Sequence, residues 1–155
     1  MPDSFLWDIA DFLEVNLPTL QASGGQAVMR PLVITDPDAA VGVAESGWAN
    51  EDIYEIGRQG PLEGTYSIDI WHQLRFGDKD QGSLAANQAS RNIRLLLAHD
   101  TALLAVLAAN VDSLGPLTER FLRMKIATQR RHEEQAFGGF IYLSVTTIKI
   151  TTETT

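Results

Sequence analysis

The 155-residue chain contains no cysteine, which excludes disulfides, thiolate nucleophiles and cysteine-held zinc. Its three histidines, His72, His99 and His132, fall in unrelated stretches. The run His132-Glu133-Glu134-Gln135-Ala136 begins like a helical zinc-protease motif but ends in alanine where the second histidine belongs. Long apolar runs are missing as well. No window approaches the roughly 20 apolar residues a bilayer requires, and the first apolar stretch, residues 5–13, is broken by Asp8 and Asp11 without a basic leader. No signal peptide, membrane span or secretion is expected. Basic residues are scarce at one end: residues 1–56 carry ten Asp and Glu against Arg30 alone, a net of −9, while the other 99 residues come to +1. Such a chain does not wrap DNA, because affinity for nucleic acid begins with phosphate neutralisation. The asymmetry suits contacts between subunits, or simply a solvated charged surface.

No phosphate loop or nucleophile elbow is present. Gly138-Gly139 is too short for a nucleotide cradle and lacks a following Lys-Ser or Lys-Thr. A glycine pair before a strand reads as a tight turn or as a place where another backbone comes close. His72 could act as a base with Asp69, but three residues apart on a strand the two point to opposite faces. A partly buried histidine hydrogen-bonded at the sheet–helix boundary is the simpler account. No cofactor, metal or catalytic residue is assigned.

What is present is enough for one folded domain over residues 1–155, since the hydrophobic content is 45%. Asp3 or Ser4 caps a helix to about Val15, with Phe5, Leu6, Ile9, Phe12 and Leu13 at helical spacing. A strand is expected over residues 28–34, with Pro31 marking an edge position or a bulge. Residues 35–65, punctuated by Pro37, Gly42, Gly47, Gly57, Gly60, Pro61 and Gly64, read as a long irregular connection with one short strand at residues 53–56. Residues 65–77 alternate cleanly: Tyr66, Ile68, Ile70, His72, Leu74 and Phe76 take one face, Ser67, Asp69, Trp71, Gln73 and Arg75 the other.

A helix from residue 81 or 83 to residue 97 follows, turning on Leu84, Asn87 or Gln88, Arg91, Ile93 or Arg94, and Leu97, and then a second helical piece, capped by Asp100 or Thr101 or continuous with the first. Residues 111–116 read as a break. In the next strand, residues 120–128, Phe121, Arg123 and Lys125 are expected on one face and Leu122, Met124 and Ile126 on the other. Residues 130–134 then form a charged connection. In the closing strand, residues 140–150, the alternation slips near Thr146 and Thr147, as at a β-bulge. The tail, residues 151–155, is expected to fray. The sum is an α+β domain: a mainly antiparallel sheet of four to five strands with helices packed on one face, and the long irregular connection before residue 65.

Trp71 on a polar strand face, Trp48 and Tyr54 in the irregular connection, and Tyr142 opposite Ile141 and Leu143 are the aromatic residues suited to anchor an interface. Trp71 could equally pack under residues 35–65 of its own chain. Arg75, and the basic Arg123, Arg130 and Arg131, complete the candidate contact set.

The early helix, the long strand TYSIDIWHQLRFG, the helix pair, the arginine-rich FLRMKIATQRR and the closing EQAFGGFIYLSVTTIKI together resemble the tail terminator (tail completion) proteins of long non-contractile-tailed bacteriophages. The resemblance implies a non-enzymatic virion protein, assembled in the host cytoplasm and located at the head-proximal neck of the tail. Such a protein forms a homo-oligomeric ring, usually a hexamer, that stops polymerisation of the tail tube protein and offers a docking surface to the head–tail connector. Genome DNA passes through its lumen without specific binding. Asp36, Asp38, Glu51 and Asp52 would then lie in loops that touch tube or connector. Head-completion or head–tail joining neck proteins share the size and composition and are the alternative; a small α+β hydrolase or ligand-binding domain is the rival of another class, with His72, Asp69 and Arg75 as its first residues.

Overall fold

The computed structural model describes residues 3–23, 25, 27–30, 39–45, 60–99, 101–109, 111–114, 116–136 and 138–155. Helix α1 (Asp3–Asn16) and the short α2 (Pro18–Ser23) precede strands β1 (Ala27–Val28), β2 (Ala39–Glu45) and β3 (Leu62–Phe76). Helices α3 (Lys79–His99) and α4 (Thr101–Ala109) follow, and then β4 (Val111–Leu114), β5 (Leu117–Ala136) and β6 (Gly139–Thr154). The strands lie in the order β1-β2-β3-β6-β5-β4. Apart from the two-residue parallel pair β1–β2, every pairing is antiparallel, so five strands carry the sheet. The α+β class, the antiparallel sheet and the helices on one face are as expected from the sequence.

The core lies between the helices and one face of the sheet. Phe5, Ile9 and Leu13 from α1 and Ile93, Leu97, Leu103 and Leu107 from α3 and α4 bury against Val41, Val43, Ile68, Ile70, Ile148 and Ile150. Each aliphatic side chain removed from water in this way stabilises the fold by about 1.5–3 kcal/mol. The period-two reading of β3 holds: Tyr66, Ile68, Ile70, His72, Leu74 and Phe76 align with the even-numbered residues of β6.

Several expectations are corrected. Residues 39–45 are a strand inside the stretch read as irregular; its alanines and glycine carry little strand signal, yet Ala39, Ala40, Val41 and Val43 are all buried. Residues 111–114 are strand β4, paired with the start of β5, and not a break. Strand β5 runs through the supposed charged connection at residues 130–134. The bulge expected in β6 is absent: β6 pairs with β3 in one unbroken register from Phe76–Phe140 to Leu62–Thr154. The irregularities sit in β5, between Phe121 and Arg123 and between Ile126 and Thr128, the second at the level of Thr147 and Ile148. Each extra residue flips the alternation, so Phe121 joins Met124 and Ile126 against the core and meets Phe5 edge-on at a centroid distance of 6.2 Å. The slip in β6 reflects apolar residues on both of its faces.

Two more corrections concern the ends of elements. The tail is not frayed: residues 151–154 pair with β3 on one side and with β5 on the other, and Thr155 exchanges backbone hydrogen bonds with Thr118 at 2.8 and 2.9 Å. The buried stripe of α3 is Gly82, Ala86, Ala89, Ser90, Ile93 and Leu97, while Leu84 is exposed. Small residues there let the helix lie close to the sheet. The strand expected over 28–34 stops at Val28, since Met29 and Arg30 form a bend; its residues 31–34, and the strand expected at 53–56, lie outside the described residues.

Candidate subunit interface

Of the twelve residues expected at contacts, Asp36, Asp38, Trp48, Glu51, Asp52 and Tyr54 lie outside the described residues. The others separate clearly. Tyr142 is not a surface anchor: it is buried beneath α3, its hydroxyl donating to the Lys79 carbonyl at 2.8 Å. Burial and the nearby carboxylates of Glu133, Asp80 and Asp78 raise its pKa above the usual phenol value. Arg123 is engaged within the chain, donating to Glu63 at 2.6 Å in an exposed pair. Arg75 is half-buried opposite Ile141.

Trp71, Arg130 and Arg131 do come together. Trp71 pairs with Val145, and Val145 with Arg130, so Trp71, Val145 and Arg130 stand in one row across β3, β6 and β5 on the face away from the helices, while Arg131 pairs with Ser144 on the other face. With Leu143 and His132 they line an open hollow of about 300 Å³. Trp71 is half-buried, and its indole Nε1 is shielded from solvent with no hydrogen-bond partner among the described residues. On this face burial falls toward one side. Ser67, Asp69 and Gln73 on β3 and Ile141 and Val145 on β6 are buried, whereas Arg123, Lys125, Arg130, His132 and Glu134 on β5 are exposed.

Strand β5 supplies two features that the sequence did not display. The first is an edge: β4 covers only residues 117–120, so among the described residues 121–136 have β6 on one side and no strand on the other. An unpaired edge of that length is a template for pairing with another chain. The second is a buried carboxylate, Glu119, which accepts hydrogen bonds from Tyr66 at 3.0 Å and Thr154 at 3.5 Å. It joins the ends of three strands, and no spacing in the sequence singles it out.

Helix α4 is apolar on every side. Leu103 and Leu107 are buried, while Leu104 is 36% and Val106 49% exposed, and Ala102, Ala105, Ala108 and Ala109 also face outward. A helix with no polar face ordinarily lies inside a larger structure.

His72 is in the core with Nε2 3.0 Å from the Thr19 hydroxyl, and desolvation lowers its pKa to about 4. Asp69, on the opposite face, accepts from Thr147 at 2.6 Å. No group of three or more potential metal ligands is found among the described residues. No single helix there is long and apolar enough to cross a membrane. No protein-family model matches the chain, and no curated protein matches it.

Proposed function

We propose that the chain is a structural virion protein that forms a hexameric ring at the head-proximal end of a phage tail tube, stops tube polymerisation and provides the surface to which the DNA-filled head docks. The observation that carries this reading is the outer surface of α4, where Leu104 and Val106 stand exposed on a helix without a polar side. Apolar surface of that kind is covered in a subunit contact. The order of elements supports it too, since early helix, long strand, helix pair, arginine-rich strand and closing strand is the layout on which the resemblance to tail terminators rests. Residues 36–38 and 51–64, with their acidic residues, are the stretches assigned to contacts with tube or connector. In this reading the protein is not an enzyme, and its histidines serve the fold.

The test is assembly with purified tail tube subunits, followed by electron microscopy and native mass measurement. Rings should form and tubes should stop growing, and Leu104→Glu/Val106→Lys should abolish rings while leaving the circular dichroism of the subunit unchanged. A wild-type chain that stays monomeric with tube subunits, and leaves tube growth unaltered, would overturn the proposal.

A further inference from the structure

Within the exposed edge of β5, residues 129–135 read Gln-Arg-Arg-His-Glu-Glu-Gln. Read backwards, the segment carries the opposite charge at each charged position. Laid antiparallel on a copy of itself about His132, it sets Arg130 opposite Glu134, Arg131 opposite Glu133 and Gln129 opposite Gln135. We infer that residues 128–136 of β5 pair with the same residues of a second copy of this chain, antiparallel about a two-fold axis at His132, joining two sheets into one.

Four observations on the structure support this pairing. Residues 128–136 keep a continuous register with β6, from Thr128–Thr147 to Ala136–Gly139, bounded by the bulge after Ile126 at one end and the Gly138 turn at the other. His132 is the midpoint of that regular stretch, so the centre of charge symmetry and the centre of straight strand coincide. The other side of the strand has no partner among the described residues. Arg130, Arg131, His132, Glu133, Glu134 and Gln135 are all exposed, and the ion pairs present there, Lys79–Glu133 and His132–Glu134, are long at 3.7 Å and solvated.

Facing residues agree as well. Arg130, His132 and Glu134 alternate with Arg131, Glu133 and Gln135, and pairing about His132 keeps every residue on the same face as its opposite. Directly opposed side chains on adjacent antiparallel strands have Cβ atoms about 5 Å apart, within reach of an Arg–Glu pair, and the two-fold axis makes each pair twice. Other registers are penalised. A slip of two residues sets Arg131 against its own copy, or Glu133 against its own copy, and parallel in-register pairing stacks every like charge. Charges that keep a foreign apolar strand off the edge thus admit a copy in one register.

This contact is isologous and uses no residue of α4, whereas a closed ring is built from heterologous contacts. It goes beyond the ring reading and describes the free chain, so it is tested without tube protein. Analytical ultracentrifugation of the wild-type chain should show a reversible, concentration-dependent dimer that weakens with salt. Arg130→Glu/Arg131→Glu alone and Glu133→Arg/Glu134→Arg alone should each lose the dimer by at least tenfold in affinity. An equimolar mixture of the two should recover a heterodimer. The fourfold exchange Arg130→Glu/Arg131→Glu/Glu133→Arg/Glu134→Arg should dimerise with itself and exclude wild type, which keeps the test decisive if a double variant folds poorly. A monomeric wild type, dimers that survive in both double variants, or a fourfold exchange that mixes freely with wild type would each overturn the inference.

Discussion

The carbonyl oxygen of Phe76 occupies the space that a side chain on Gly139 would need. Phe76 ends β3 and Gly139 begins β6, and Phe76 pairs with Phe140 in the first rung between the two strands. Gly139 also adopts φ 155°, and its neighbour Gly138 φ 78° with open space around it. The two glycines therefore do different things: Gly138 makes the turn, and Gly139 admits a neighbouring backbone. Gly139→Ala should destabilise the fold by about 2–4 kcal/mol, combining a strained backbone with a clash that cannot relax through side-chain motion. Gly138→Ala should cost about 1 kcal/mol, from its backbone conformation alone. Urea unfolding midpoints of the two variants test the order.

His72 makes stability depend on acid. Its folded pKa of about 4 lies below the unfolded value near 6.5, so the unfolded chain binds the extra proton first. The contribution is fully present above pH 6.5 and is lost as pH falls toward 4, amounting to roughly 3 kcal/mol at the extreme. Unfolding free energies measured at intervals across that range should fall for the wild type. His72→Gln should show a flatter profile, at the cost of a lower plateau near neutrality.

Helix α3 depends on its first turn. The Asp78 carboxylate accepts from the Gln81 amide at 2.9 Å, and the Asp78 carbonyl accepts from Gly82 at 2.9 Å. Asp78→Ala should cost about 1 kcal/mol, the usual value of a side-chain N-cap, and Asp78→Asn should retain most of it. Thermal unfolding by circular dichroism distinguishes the two.

Tyr142 seals the same junction from the sheet. A methyl group on Gly82 would lie 2.5 Å from its ring, so Gly82→Ala should destabilise despite alanine's better helix propensity. Tyr142→Phe removes the hydrogen bond to Lys79 and should lower the thermal unfolding midpoint. Because the folded phenol titrates above its unfolded value, the wild type loses stability as pH rises past about 10. Ultraviolet titration should show a late-ionising tyrosine that disappears in the phenylalanine variant.

The end of β6 is held on both sides. Removing residues 151–155 deletes pairing to β3 and to β5 together with the Thr118 bonds. The truncated chain should unfold at a much lower denaturant concentration than the full chain; an unchanged midpoint would show that these pairings contribute little.

Local periodicity was legible wherever one face of an element is apolar and the other polar. In α1, Phe5, Ile9 and Leu13 were identifiable by spacing and are fully buried. The alternation of β3 fixed the faces of His72 and Asp69, which was enough to separate them as catalytic partners. In α3 the sign was misleading, because its buried stripe consists largely of small residues and the large Leu84 points outward. Of the residues expected at contacts, Arg130, Arg131 and Trp71 line one hollow, but Tyr142 looked the same as Trp71 by spacing and is core. Alternation alone does not reveal which face of a strand a helix will cover.

The amino-acid sequence by itself determined the α+β class, the glycine turn before β6 and the polarity of the central strand, because each follows from interactions among neighbours in the chain. It also contains the complementary run from Gln129 to Gln135, which needs no structure to be written down. Only the tertiary structure decided that this run is strand rather than loop, that it lies on an edge with no second strand beside it among the described residues, and that its centre coincides with the middle of a regular segment. Pairing partners come from far along the chain, β3 with β6 and β6 with β5, and the bulges in β5 change which residues face the core. Those outcomes depend on how whole strands register against each other, a cooperative choice that no local window of sequence contains.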